Sequence, residues 1–253
     1  MKIGLQLFTV RKQAQKDLYN TLSDISQMGI RYIEAARIDF DQTNAEIFLK
    51  ANADFGIEVV STQIKFKKLK EDFDKVLQFH KKTNCKNAVI SVLPTKSIVG
   101  SKEELLNFCK EANELGKKYR AEKIELCFHH HDFEFLQRDY GMQIDILEKN
   151  LETAFIIDTY WAAKGGIPAD KLTDKLKKVK GYHLRDYGLC GVMRKAKDFA
   201  LGDGVIDFKS IIEKGENQNV EYAVIEQNTK TPFDELKKSV EHIKTLGFGD
   251  LLK

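Results

Sequence analysis

The sequence predicts one (β/α)8 barrel, a TIM barrel of the α/β class, that forms a single domain over residues 1–253. Three observations support this prediction. The chain has the usual length of one such barrel. Eight β-rich runs alternate with segments of helical periodicity, as consecutive parallel strands require. Four of the later runs end in acidic or histidine side chains, and parallel strands would bring these ends to one face, where barrels carry their chemistry.

The eight predicted strands are short and rich in β-branched and aromatic residues. They span residues 2–8, 31–35, 57–62, 87–92, 123–128, 154–158, 181–184 and 222–226. Each interval is long enough for a helix with its loops, and only the last is longer than a simple connection needs. Its segment 186–207 contains four glycines, so we expect a loop that covers the mouth of the barrel.

Helix signals fill the intervals between the strands. Apolar residues in segment 18–25 share one face of a helix, which would pack against a sheet. Gly29 and Gly56 stand within two residues of the start of a predicted strand, where glycine commonly ends the preceding helix. Ser101 and Glu104 resemble a capping box that opens a helix. An open doubly wound sheet is the competing architecture, but no GxGxxG motif follows the first strand.

Composition argues against several functional classes. Hydrophobic residues make up 42% of the chain and charged residues 31%, as in a globular domain with a full core. The formal charge is only +3 and lysines are spread along the chain, which disfavours a nucleic-acid partner. No apolar stretch suits a signal peptide or membrane span, so the expectation is a cytoplasmic protein without a membrane partner. The four cysteines lack a CxxC arrangement, which favours reduced thiols.

Three strand ends carry candidate metal ligands, namely Asp158, His183 and Glu226. A buried, unpaired carboxylate is costly, and a metal ion or a cationic side chain is the usual remedy. Asp158 has the alternative role of capping the turn that follows it. Glu226 has the alternative role of a structural salt bridge to lysine or arginine. The histidines favour chemistry, because four of the six lie at predicted strand ends.

The fifth strand ends in the run His129-His130-His131. Alternation along a strand places His129 and His131 on one side and His130 on the other. We therefore expect His129 and His131 to face the mouth. Glu134 lies beyond the strand, but a loop that bends inward would return its carboxylate to the other ligands.

These residues predict a site for one divalent metal ion. The predicted ligands are Glu134, Asp158, His183 and Glu226. Such a mixed oxygen and nitrogen set suits Mn, Mg, Co or Zn better than a soft thiolate metal. The ion would act as a Lewis acid on a substrate carbonyl and stabilise an enediolate. The candidate catalytic groups for proton transfer are Glu226, His129, His131 and Glu134.

Four side chains near the strand ends are candidates for substrate binding. Trp161, the only tryptophan, offers an apolar face to a sugar ring, although packing under a loop is an equal alternative. Gln6, Gln63 and Arg185 lie at or near predicted strands and have groups that bind hydroxyls. Glu34 occupies a similar position on the second strand.

Six motifs carry a family resemblance over essentially the whole chain. They are Gly4-Leu5-Gln6-Leu7, Phe128-His129-His130-His131-Asp132-Phe133-Glu134-Phe135, Asp158-Thr159-Tyr160-Trp161, His183-Leu184-Arg185-Asp186-Tyr187, Leu201-Gly202-Asp203-Gly204-Val205-Ile206-Asp207-Phe208 and Val224-Ile225-Glu226-Gln227. In this order and spacing they resemble the xylose isomerase-like barrel superfamily, the group of sugar phosphate isomerases and epimerases.

The resemblance implies one divalent ion held by a strand-five carboxylate together with Asp158, His183 and Glu226. It also implies action on small sugars or keto-sugars, and dimers and tetramers are common among similar barrels. Ketose 3-epimerases of the superfamily carry glutamate where this chain has His129. Glu134 must therefore substitute from the loop if it is the strand-five ligand, and His129 is the alternative ligand. These epimerases also carry histidine where this chain has Trp161.

The leading hypothesis is therefore a metal-dependent isomerase or epimerase of a small sugar or sugar derivative. Inosose dehydratases and related keto-sugar lyases of the superfamily also have histidine-rich strand-five ends, which makes a lyase the second hypothesis. A barrel that binds a sugar without catalysis is the third. Apurinic-site endonucleases share the fold but need more histidine and aspartate ligands than this chain supplies at its strand ends.

Overall fold

The computed structural model describes residues 1–253 and contains a closed barrel of eight parallel strands. The strands are β1 Lys2–Gln6, β2 Tyr32–Ala36, β3 Glu58–Ile64, β4 Asn87–Ile90, β5 Glu125–His129, β6 Ala154–Asp158, β7 Val179–Leu184 and β8 Tyr222–Ile225. Each strand pairs with the next along the chain, and β8 pairs with β1. The predicted single-domain barrel is confirmed, and no predicted strand end is displaced by more than two residues.

The strands are connected by helices that surround the barrel. They are α1 Arg11–Lys16, α2 Leu18–Gln27, α3 Gln42–Phe55, α4 Phe66–Glu71, α5 Phe73–Thr83, α6 Thr95–Val99, α7 Lys102–Ala121, α8 Gln143–Asn150, α9 Thr159–Lys164, α10 Ala169–Lys175, α11 Phe208–Asn217 and α12 Pro232–Thr245. None of them combines the length and the apolar composition needed to cross a bilayer.

The helix boundaries follow the signals in the sequence. Gly56 ends α3 in the left-handed conformation with φ of 71°, which glycine adopts without steric cost. At the start of α7, the hydroxyl of Ser101 accepts a hydrogen bond from the backbone N–H of Glu104. The predicted apolar face of α2 is buried, including Leu22 and Ile25. Local signals therefore determined where several of the helices begin and end.

The barrel wall divides the core into two layers. The larger layer contains 60 buried residues between the strands and the helices. The smaller layer fills the inside of the barrel and comprises Val89, Cys127, Ala154, Ile156, Tyr222 and Val224. Because strand side chains alternate between faces, the residues two positions beyond Cys127, Ile156 and Val224 also point inward. An apolar layer thus lies directly beneath the carboxyl ends of β5, β6 and β8.

Strand register brings the inward-facing polar residues to one level. His183 on β7 lies opposite Asp158 on β6 and Val224 on β8. Glu34 on β2 lies opposite Gln6 on β1 and Ser61 on β3. A closed barrel therefore places residues from distant parts of the chain around one axis.

The segment 186–207 is more ordered than the loop that its glycines predict. Its first part is an antiparallel hairpin of strands Asp186–Cys190 and Lys195–Phe199. The hairpin contributes Ala196, Lys197 and Asp198 to the wall of the cavity at the barrel mouth. The predicted position of this segment at the mouth is correct, but its conformation differs. Cross-strand hydrogen bonds fix the conformation, and sequence periodicity over such short strands does not reveal them.

The second part of this segment is organised by one buried carboxylate. Asp186 accepts hydrogen bonds from the backbone N–H groups of Tyr187, Gly202, Gly204 and Ile206, at 2.8 to 3.2 Å. A Cβ atom at Gly204 would lie only 2.3 Å from the Asp186 carboxylate. Glycine at this position therefore allows the backbone to approach the carboxylate closely.

We predict that Asp186→Ala lowers the free energy of unfolding by about 3 kcal/mol, because four backbone donors lose a charged acceptor in a buried site. Chemical denaturation followed by circular dichroism measures this loss. The matched control is Asp203→Asn, which changes an exposed carboxylate of the same loop. Equal stability of Asp186→Ala and the wild type would contradict the role assigned to this carboxylate.

Candidate metal centre and substrate cavity

Four side chains that can bind a metal ion meet at the carboxyl ends of the last four strands. They are His129, Asp158, His183 and Glu226, and their ligand atoms lie within 4.8 Å of one another. All four residues are buried. Because each comes from a different strand, the group exists only in the closed barrel. Three of its members are metal ligands predicted from the sequence, and the fourth is His129 rather than Glu134.

Asp158 uses its two carboxylate oxygens for different purposes. Its Oδ1 atom accepts a hydrogen bond of 2.9 Å from the backbone N–H of Trp161 and so caps α9. Its Oδ2 atom lies 3.4 Å from Nε2 of His129 and 3.3 Å from the guanidinium of Arg185. Asp158 therefore caps the helix with Oδ1 and belongs to the four-residue group through Oδ2.

His183 lies at the centre of the group, between two carboxylates. Its Nδ1 atom is 2.7 Å from Oε2 of Glu226 and 4.0 Å from Oδ2 of Asp158. Its Nε2 atom is 2.9 Å from Oε1 of Glu34. Burial opposes a charge on His183, but the carboxylates of Glu34 and Glu226 outweigh burial and raise its pKa to about 10. The two carboxylates therefore favour the protonated form of His183.

Arg185 supplies the second positive charge of the site. Its guanidinium lies 3.3 Å from Asp158, 3.2 Å from Glu226 and 2.7 Å from Asp198 of the hairpin. The salt bridge considered as an alternative role for Glu226 is thus present. Burial favours the neutral form of Glu226, but Arg185 and His183 outweigh burial and hold the pKa of its carboxyl well below the usual range.

The strand-five histidines take different positions. His129 belongs to the four-residue group, and His131 lies on the cavity wall. His130 points away from the cavity and accepts a hydrogen bond from the backbone N–H of Asp158. Burial, together with the charge of His183, lowers the pKa of His129 well below 6.5. Burial and the nearby His129 lower the pKa of His131 to about 3, so both rings are neutral at neutral pH.

The sequence predicts that Glu134 returns to the other candidate ligands, but the structure places it elsewhere. It is fully buried in a short 3-10 turn, and its Oε2 atom accepts a hydrogen bond of 2.8 Å from the backbone N–H of His131. Burial raises the pKa of its carboxyl to about 8. The turn holds this carboxyl against its own backbone, and His129 occupies the strand-five position in the group instead.

A divalent cation fits this set of donors. Glu226 Oε2 and His183 Nδ1 are buried without an aligned hydrogen-bond partner, and His129 directs its Nε2 atom toward Asp158. Four carboxylates, those of Glu34, Asp158, Asp198 and Glu226, share the two positive charges of Arg185 and protonated His183, which leaves excess negative charge for a cation to neutralise. Two imidazoles and two carboxylates favour Zn, Mn or Co over Mg, which prefers oxygen ligands.

A cavity of about 770 Å³ opens above the group. His131, Trp161 and Arg185 line its inner part, and the Trp161 and His131 ring centroids are 5.2 Å apart. Gln63 also reaches the wall, whereas Gln6 is fully buried and donates a hydrogen bond of 3.0 Å to Gln63. Three of the four predicted substrate residues therefore line the cavity, and the fourth supports one of them.

Two acidic residues of the site have roles that their sequence positions did not reveal. Asp198 contacts Arg185, and burial raises the pKa of its carboxyl to about 6. Glu34 contacts His183 from across the barrel. Asp198 lies in a glycine-rich segment without a strand signal, so nothing in the sequence marks it. Glu34 lies within a predicted strand, and its position there suggested only that it could bind a hydroxyl group.

Solved structures resemble the whole chain. A sugar phosphate isomerase/epimerase from Parabacteroides distasonis ATCC 8503 aligns with a TM-score of 0.79 over 100% of this chain and 96% of its own, at 17% identity. The probable 3-DHS dehydratase AsbF from Bacillus anthracis aligns with a TM-score of 0.76 over 97% of this chain and 99% of its own, at 13% identity. The IOLI protein with a bound zinc atom aligns with a TM-score of 0.70 over 100% of this chain and 98% of its own, at 14% identity. No family model and no curated protein matches the sequence.

The chain has the same barrel fold as these solved structures, which also include a xylose isomerase-like TIM barrel protein from Mycobacterium smegmatis. The resemblance found in the motifs therefore agrees with the fold. At these low identities the structures share an architecture, and the chemistry must be argued from the side chains of this chain.

We predict that the purified wild-type protein retains about one equivalent of Mn, Co or Zn, and that Asp158→Asn and His183→Ala abolish retention because each removes a ligand from the group. Elemental analysis by mass spectrometry measures this content. His129→Gln is expected to lose metal, whereas Glu134→Gln is expected to keep it. Full occupancy in Asp158→Asn, or loss in Glu134→Gln alone, would contradict this ligand set.

We also predict a stability change with pH that depends on Glu134. Its folded pKa of about 8 exceeds the ordinary value of 4.5, so the folded state keeps a proton that the unfolded state releases. The stability that this carboxyl contributes is present below pH 4.5 and is lost as pH rises through 8. Across this window Glu134→Gln should gain stability relative to the wild type by about 1 kcal/mol per pH unit.

Urea unfolding at several pH values measures this difference. The exposed substitution Glu216→Gln is the control and should follow the wild type at every pH. Parallel pH profiles for Glu134→Gln and the wild type would show that Glu134 is already ionised in the folded state.

Proposed function

We propose that this protein is a metal-dependent isomerase or epimerase of a small sugar or sugar derivative. The observation that carries the proposal is the buried group of His129, Asp158, His183 and Glu226 at the floor of a cavity. Barrels of this architecture carry their active sites at the carboxyl ends of the strands, which is where this group lies. The solved relatives include a sugar phosphate isomerase/epimerase and a protein with bound zinc, which supports the same class.

A divalent ion held by these four side chains would supply Lewis acidity to a substrate carbonyl. The residues of the chain then determine where a proton is removed. Glu226 lies on the cavity wall as a carboxylate, and a carboxylate can accept a proton from the carbon beside that carbonyl. His131 is neutral and its Nδ1 atom has no hydrogen-bond partner, so it can serve as a second proton-transfer group.

The surroundings of His131 keep its ring in one orientation. The ring of Phe133 stacks on it, with a centroid distance of 5.1 Å and an interplanar angle of 9°. Trp161 contacts it from another side. A fixed imidazole beside an apolar tryptophan face and the amide of Gln63 suits a small polyhydroxylated substrate, because rings pack on the face while polar groups bind hydroxyls.

The second candidate is a lyase that eliminates water from a keto-sugar or a related cyclic ketone. The observation that favours it is the histidine at the end of β5, where epimerisation between two carboxylates would need a glutamate. A solved relative is a probable 3-DHS dehydratase, which supports this class as well. Both reactions begin with removal of the proton beside a carbonyl and differ only in the step that follows.

We predict that the metal-loaded protein exchanges the proton beside the carbonyl of a ketose or keto-cyclitol in deuterated water, because both candidate reactions begin there. Nuclear magnetic resonance over a panel of such compounds measures the exchange. Glu226→Gln and His131→Asn should slow it about 10² to 10⁴-fold. Glu216→Gln, an exposed change of the same type, is the control.

The product distinguishes the two classes. A deuterated stereoisomer or positional isomer supports the isomerase or epimerase, whereas an unsaturated ketone with new ultraviolet absorption supports the lyase. Saturable binding of a sugar with no exchange in any metal-loaded sample would contradict both and identify the protein as a sugar-binding barrel without catalysis.

A further inference from the structure

Glu34 is a buried carboxylate for which the proposed reaction has no use. Its side chain is fully buried inside the barrel, at the middle of β2. Its Oε2 atom accepts a hydrogen bond of 2.6 Å from the hydroxyl of Ser61. Its Oε1 atom lies at an ion-pair distance of 2.9 Å from Nε2 of His183, and neither atom has an aligned hydrogen bond to any other group. No lysine or arginine forms an ion pair with it, so His183 is the only group able to balance its charge.

The geometry of His183 explains why a carboxylate stands at this place. The Nδ1 atom of the imidazole faces the metal group, because Glu226 and Asp158 lie 2.7 and 4.0 Å from it. The Nε2 atom faces the opposite way, toward Glu34. A neutral imidazole carries a hydrogen on only one nitrogen. If that hydrogen is held at Nε2, then Nδ1 is free to bind a metal ion.

We propose that Glu34 is a positioning residue that fixes His183 as a metal ligand through Nδ1. This inference rests on the proposed metal-dependent function. Glu34 holds the proton of His183 at Nε2, fixes the plane of the ring and increases the electron density on the imidazole, while Ser61 fixes Glu34 in turn. Glu34 itself lies outside the four-residue group and does not bind the ion.

The barrel makes this arrangement possible over a long sequence distance. Glu34 is on β2 and His183 is on β7, and these strands are separated in the barrel wall by β1 and β8. The two side chains therefore meet across the interior of the barrel. Gln6, which neighbours Glu34 on β1, is instead bound to Gln63 and does not compete for the imidazole.

The test compares Glu34→Gln with Glu58→Gln, a matched change at the opposite, exposed end of the barrel. Co²⁺ is the probe, because its visible absorption reports the ligand geometry independently of any catalytic activity. Isothermal titration measures its affinity. We expect Glu34→Gln to bind Co²⁺ about 10- to 100-fold more weakly and to alter the absorption bands, because an amide cannot supply the negative charge. Glu58→Gln should match the wild type.

Glu34→Asp keeps the charge and should recover part of the lost affinity. Thermal unfolding of the metal-free proteins tests for a purely structural role, which would lower the melting temperature of Glu34→Gln without changing the Co²⁺ spectrum of the folded protein. Wild-type affinity and an unchanged spectrum in Glu34→Gln would overturn the role of Glu34 while leaving the metal site intact. A wild-type protein that binds no Co²⁺ would overturn the proposed function together with this inference.

A second variant decides the matter if Glu34→Gln does not fold. Ser61→Ala removes the hydroxyl that holds Oε2 of Glu34 and leaves the carboxylate in place. Loss of one such hydrogen bond should weaken Co²⁺ binding about 5-fold. Unchanged binding in folded Ser61→Ala would then overturn the proposal.

Discussion

The balance of buried charge at the carboxyl end of the barrel is the constraint on which the rest of the site depends. Arg185 contacts three carboxylates, those of Asp158, Asp198 and Glu226. A charge removed from water requires such partners, and removing one of them leaves the others uncompensated. Through these contacts, one guanidinium connects two candidate metal ligands to the hairpin at the mouth. The rings of Tyr160 and Trp161 lie over its outer side, at 4.8 and 5.3 Å, and shield it from solvent.

The histidine at the end of β5 distinguishes this centre from one built on carboxylates. With His129 in the group, the donor set contains two imidazoles and two carboxylates. A neutral imidazole adds no negative charge, so a divalent ion here would keep more of its Lewis acidity than it would with a third carboxylate. Because β5 contributes a histidine and not a glutamate, Glu226 is the only glutamate of the group. In the proposed reaction a second proton-transfer group would then come from elsewhere on the cavity wall, where His131 lies.

Much of the fold could be predicted because its signals are local. Strand runs, glycine helix ends such as Gly56 and the cap at Ser101 each depend on a few neighbouring residues. The convergence of Asp158, His183 and Glu226 followed from one further rule, that parallel strands share the direction of their carboxyl ends. The roles of these three as metal ligands, and those of the cavity residues in substrate binding, remain proposals.

The sequence alone determined the eight strands, their parallel order and the side chains that end them. Only the tertiary structure decided which donors meet. It placed His129 in the group instead of Glu134, because the Glu134 carboxylate lies in a tight turn and accepts a hydrogen bond from the backbone N–H of His131. It brought Asp198 to Arg185 through a hairpin, and it placed Glu34 against His183 across the barrel. These contacts join residues that are remote in sequence or lie in irregular segments, where no periodic pattern records which side chains are neighbours.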